Sequence, residues 1–201
     1  MSLKHLIGWG GLCLVALTAA ASAQQSEEAM AGMTAEEAAM MAAFQASMTP
    51  GEPHAWLAEQ SGEYNALVRS WDDPDSEPQT SRSRVVRTME LGGRVLREEW
   101  TGTVMGMPFS GVGRTGYDNV TERYWSTWTD NLSTGLFISH GQRHVDGSLE
   151  FHGEMPDPRS GAMIPTRSVA THADGTERME MYQTVDGEEM RVMVIELQRN
   201  D

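Results

Sequence analysis

Turn signals recur along most of this chain, and their spacing limits the folds open to it. Asp72-Asp73-Pro74-Asp75, Gly92-Gly93, Asp118-Asn119, Asp146-Gly147, Asp174-Gly175 and Asp186-Gly187 separate runs of strand length. Three of these signals are Asp-Gly pairs, which supply the positive φ angles that two-residue hairpins require. The runs between them are Ser81–Leu91, Arg94–Met105, Gly135–His144, Ser148–Met155, Met163–His172, Thr176–Val185 and Glu188–Gln198. Consecutive hairpins of this kind predict an antiparallel up-and-down meander of about eight to ten strands. An open meander has two unpaired edges and a closed one has none, so the expected architecture is an all-β barrel.

The segment Phe109–Asp130 reads as one such hairpin, joined at Asp118-Asn119. Its first strand carries Gly111, Gly113 and Gly116, and its second Tyr124, Trp125, Thr127, Trp128 and Thr129. A glycine-kinked strand beside an aromatic one suits a strongly curved sheet. The chain also holds 15 methionines, side chains that fill irregular apolar space or line a greasy cavity.

The first residues carry a different signal. Lys4 and His5 precede an apolar run, Leu6–Ala20, and Ala21-Ser22-Ala23 offers a small-residue cleavage site. Residues 1–23 are therefore expected to be a cleaved signal peptide, which places the mature protein in the periplasm or outside the cell with no stable membrane anchor. The single cysteine, Cys13, falls within that segment, so a mature barrel would have to stand on its core without disulfides.

Residues 24–50 form an acidic, Ala- and Met-rich tail and linker, expected to be helical or disordered. Thr34 and Glu37 have capping-box spacing, and Met40, Phe44 and Met48 fall on one stripe. The barrel domain is expected over residues 51–201. Pro53 opens a short helix there, His54–Gln60, with Trp56 and Leu57 on its buried side and Ser61-Gly62 as its stop. The formal charge of −14 disfavours nucleic acid and anionic lipid surfaces as partners.

Several local patterns together resemble the bacterial domain-of-unknown-function family 1579. They are His54-x-Trp56-Leu57, Gly62 followed by the aromatic Tyr64, Leu91-Gly92-Gly93-Arg94, Phe109-x-Gly111-x-Gly113-x-x-Gly116-Tyr117-Asp118, and Trp128-x-Asp130. The resemblance spans Pro53 to Gln198 and implies a calycin-like barrel, the broad group that includes lipocalins and fatty-acid-binding proteins. It implies no activity, so it supplies no catalytic residue.

A small closed barrel can enclose one apolar or amphipathic molecule. On the strand from Arg94, one face presents Arg94, Leu96, Glu98 and Trp100, and the other Arg97, Glu99 and Thr101. Either face would bring an arginine and a glutamate inside, where buried charges must be paired or solvated. The candidate ligand-binding residues are Arg94, Arg97, Glu98, Glu99, Trp100, Tyr117, Trp125 and Trp128, of which half can face inward. An inward arginine could hold a carboxylate head group or close a salt bridge of its own.

Other chemistry finds less support. His140 and His144, four apart on one expected strand, would stand about 13 Å apart along it, too far for one metal ion. His152 and His172 fall on other strands, and no tight ligand spacing links them. No nucleophile elbow, phosphate loop or dinucleotide motif is present. Adjacent acids such as Glu98-Glu99 point to opposite faces of a strand, so they form no catalytic dyad. No cofactor is expected. The alternatives to a binding module are a histidine-dependent metal protein or enzyme, and an envelope interaction protein that uses the tail helix.

Overall fold

The computed structural model describes residues 33–200 apart from Pro74 and Asp174. The expected signal peptide, residues 1–23, lies outside the described residues, as does the first part of the tail.

Ten strands close into one antiparallel up-and-down barrel. They are β1 Gly62–Ser70, β2 Gln79–Glu90, β3 Val95–Val104, β4 Met107–Asp118, β5 Arg123–Asp130, β6 Phe137–Arg143, β7 Leu149–Pro156, β8 Met163–Ala173, β9 Thr176–Val185 and β10 Glu188–Arg199. Each strand pairs with the next, and β1 pairs with β10 from Tyr64↔Arg199 to Ser70↔Met193. Both edges of the meander are thereby removed.

The hairpin ends follow the turn chemistry in part, and the bend expected at Asp118-Asn119 falls on the four residues 119–122, since Asp118 itself pairs with Arg123. Asp186-Gly187 is a two-residue turn between Val185 and Glu188, with φ of 53° and 82°, the left-handed pair that suits the sheet's twist. Asp146-Gly147 instead sits within a longer loop between Arg143 and Leu149. There Asp146 Oδ1 accepts hydrogen bonds from the Ser148 N–H and hydroxyl at 2.9 and 2.6 Å, so the Asp caps the loop and leaves the tight bend to other residues. Another two-residue turn is Met105-Gly106, between Val104 and Met107, with φ of 52° and 77°. It carries no Asp or Asn and was not legible as a turn.

Two helices precede the barrel. Helix α1, Ala35–Met48, begins at the expected capping box: Thr34 N–H donates to Glu37 Oε2 at 2.8 Å, and Glu37 N–H to Thr34 Oγ1 at 3.2 Å. It buries none of its residues and belongs to a unit of its own, separate from the unit that begins at Thr49. Helix α2, Glu52–Glu59, has Pro53 in its first turn, and the Gly51 N–H donates to His54 Nδ1 at 3.1 Å. It packs against β2, β3 and β4 at one end of the barrel.

Helix α2 is the plug of that end. Trp56 and Leu57 join Leu96, Tyr124 and Leu149 in one apolar cluster. A second cluster lies further along the lumen wall, with Tyr64, Ala66, Val85, Trp100, Ile195 and Leu197. Burying side chains of this size contributes about 1.5–3 kcal/mol each, which is how a barrel can hold without a covalent staple.

Candidate functional site

Strand alternation decides which side chains enter the lumen. On β2 the residues that reach the cavity are Ser81, Ser83 and Arg87; on β3 Leu96, Glu98, Trp100 and Val104; on β4 Phe109 and Thr115; and on β5 Ser126, Trp128 and Asp130. These and their counterparts on other strands line a cavity of about 370 Å³. Its walls are mainly apolar, with Phe137, Phe151, Met155, Met179, Met181 and Met193 joining the tryptophans. Trp56 and Leu57 floor it at the α2 end, while Val104, Phe109, Leu132 and Phe137 stand near the other mouth. Around that mouth Met105, Met107, Leu132, Leu136 and Met163 are exposed.

The candidate residues divide between inside and outside. Glu98, Trp100 and Trp128 line the cavity. Trp100 meets Trp128 edge to face at 5.7 Å, and Phe109 stacks on Trp128 at 6.4 Å. Tyr117 is placed with the plug cluster and not on the cavity wall, edge-on to Tyr124 at 4.9 Å and to His54 at 5.9 Å. Burial there raises the Tyr117 phenol and pushes that of Tyr124 up to about 12.

Arg94, Arg97, Glu99 and Trp125 do not line the cavity. Arg94 belongs to the β2–β3 turn and donates to the Leu91 carbonyl at 3.1 Å. Arg97 and Glu99 lie on the other face of β3, paired with each other at 2.6 Å. Trp125 lies over Gly116 of β4, where an added Cβ would come within 2.4 Å of the indole ring. One residue of register separates the two faces, and the sequence of β3 alone does not choose between them.

The arginine that enters the barrel is Arg87. Its Nη1 and Nη2 donate to Glu177 of β9 at 2.6 and 3.1 Å, and its Nε donates to Glu98 Oε2 at 3.0 Å. The guanidinium face lies 5.0 Å from the Tyr64 ring. Glu177 also meets His172 Nε2 at 3.0 Å, and the His172 ring stands edge-on to Trp56 at 5.3 Å. Burial would lower the Arg87 guanidinium, but the Glu177 and Glu98 carboxylates override it and hold Arg87 above its ordinary value. Burial would likewise raise Glu177, and Arg87 and His172 instead hold it well below the usual carboxylate range.

Arg87, Glu177 and the inward role of His172 were missed in the sequence. The alternation of Ser83, Val85 and Arg87 puts Arg87 in phase with a buried face, which is a usable signal. Glu177 offers none by itself, since its partner lies on another hairpin.

Two nitrogens of the site have no hydrogen-bond partner among the described residues, Trp100 Nε1 and His172 Nδ1, and both are buried. The Glu98 carboxylate packs against Gly113, where a Cβ would stand 2.6 Å from Oε1. The other histidines lie elsewhere. His140 of β6 faces His152 of β7 across the ladder, and Glu150 receives His152 Nε2 at 2.6 Å and His144 Nε2 at 3.3 Å. His144 itself falls in the loop after β6. Among the described residues no group of three or more His, Cys, Asp or Glu is placed to hold a metal ion.

The barrel, its plugging helix and the Gly-Tyr-Asp hairpin are thus all in place over one continuous stretch. Residues 49–199 match the family described as Protein of unknown function (DUF1579). The chain belongs to the DUF1579 family. A comparison with curated proteins finds no match. In this DUF1579 domain the family match begins at Thr49, just ahead of α2, and takes in every strand. The closed antiparallel barrel is compatible with a calycin-like fold.

Proposed function

We propose that this protein is a binding module for a small hydrophobic or amphipathic molecule carried in the barrel lumen. The observation that supports this reading is the cavity of about 370 Å³ walled largely by aromatic, aliphatic and methionine side chains. Ligand pockets are typically about 300–1,000 Å³, apolar, and furnished with a few placed polar groups. Here those groups include the Arg87–Glu177–Glu98 network, His172, Asp130 and small hydroxyls such as Ser126 and Ser139. The signal pattern of residues 1–23 supports a place of action in the periplasm or outside the cell.

Native mass spectrometry of protein purified from its own host, together with titration of an apolar fluorescent dye, tests the reading. The expected result is a bound small molecule or saturable dye uptake that Ser126→Phe, which fills the lumen, abolishes. A protein that carries no molecule and takes up no dye would be a structural barrel.

A further inference from the structure

The cavity lining has a charge balance that selects among amphiphiles. Its ionisable lining groups are Arg87, Glu98, Glu177, Asp130 and His172, so three carboxylates face one guanidinium. Negative charge is in excess with either form of His172. Arg87 is already committed: three of its N–H groups serve Glu177 and Glu98, and the Tyr64 ring lies against its face. A carboxylate guest would find no free fork to bind and would meet Glu98 and Asp130 as like charges.

Glu98, by contrast, has a valence to offer. Its side chain is 22% exposed and gives only Oε2 to Arg87, leaving Oε1 without a donor among the described residues. Trp100, Trp128 and Phe109 line the same cavity, and aromatic faces next to a carboxylate attract cations. Asp130 lies on the same wall, where its Oδ2 accepts the Trp128 indole N–H at 2.8 Å.

We infer that the guest is a cationic amphiphile, an alkyl chain whose ammonium group is held by Glu98 among these aromatic rings. This rests on the cavity reading proposed above and deepens it.

Displacement of the apolar dye by dodecylamine, dodecanol and laurate, each below its micellar concentration at physiological ionic strength, tests the assignment. Dodecylamine is expected to bind at least about tenfold more tightly than laurate, because the charge contrast operates in a poorly screened site. Glu98→Gln, which keeps an acceptor for Arg87, is expected to shrink that ratio severalfold. Laurate or dodecanol binding as tightly as the amine would overturn the head-group assignment and leave the cavity reading standing. So would an undiminished preference in a folded Glu98→Gln variant. Failure of all three ligands in a protein that takes up no dye would remove the cavity reading itself. The wild-type series decides the charge preference even if Glu98→Gln does not fold.

Discussion

Arg87 of β2 and Glu177 of β9 meet inside the barrel through two hydrogen bonds of 2.6 and 3.1 Å. Their side chains are only 8% and 10% exposed, so each charge depends on the other for the stabilisation that water no longer supplies. The contact joins hairpins remote in sequence. It also fixes the guanidinium that organises Glu98 and, through Glu177, His172.

Removing one partner strands the other. Arg87→Met leaves Glu177 and Glu98 as buried or half-buried like charges and is expected to destabilise the fold by about 3–5 kcal/mol. Glu177→Gln still leaves Arg87 paired with Glu98 and is expected to cost less. Urea unfolding of the two variants gives the ranking directly; equal losses would mean that Glu98 contributes nothing as the second partner.

The same pair governs acid stability. The folded-state pKa of Glu177 lies below its ordinary value of 4.5, so the unfolded chain binds the proton more readily. The stabilisation is complete above that value and is lost progressively as pH falls below it toward the depressed folded-state pKa. Glu177→Gln removes this titration. Its unfolding midpoint, plotted from neutral to acid pH, is expected to fall less steeply than that of the wild type.

Gly111 makes room for a tryptophan. A Cβ at this position would lie 2.5 Å from the Trp128 ring, which is held by Trp100, Phe109 and a hydrogen bond to Asp130. Gly111→Ala is expected to cost about 1–3 kcal/mol through overpacking. Thermal denaturation measures the loss, and a shift in tryptophan fluorescence would locate it.

Met105 is the wrong residue for its backbone. It holds φ of 52° in a two-residue turn and is 75% exposed, while Asn tolerates the same angles at lower cost. Met105→Asn is expected to stabilise the barrel by about 0.5–1 kcal/mol. The comparison of unfolding free energies checks it, and a destabilised variant would point to contacts of the Met105 side chain that outweigh the turn.

Much of the architecture is legible in the sequence. The strand expected over Thr176–Val185 forms with those bounds, and the one expected over Glu188–Gln198 forms over Glu188–Arg199. The capping box at Thr34 starts α1 where it was expected. Local signals sufficed there because turn backbone and cap hydrogen bonds are made within a few residues. The site was less legible. Glu98, Trp100 and Trp128 line the cavity, whereas Arg97, Glu99 and Trp125 face outward, because alternation identifies two faces without saying which is the inner one.

By itself the sequence determined a succession of hairpins, since these follow from turn residues and β-branched or aromatic runs acting over short range. The register in which β1 meets β10, the choice of inner face, and the meeting of Arg87 with Glu177 were decided only in three dimensions. Those features depend on register between strands far apart in the chain, and a register is set by which faces can be buried together.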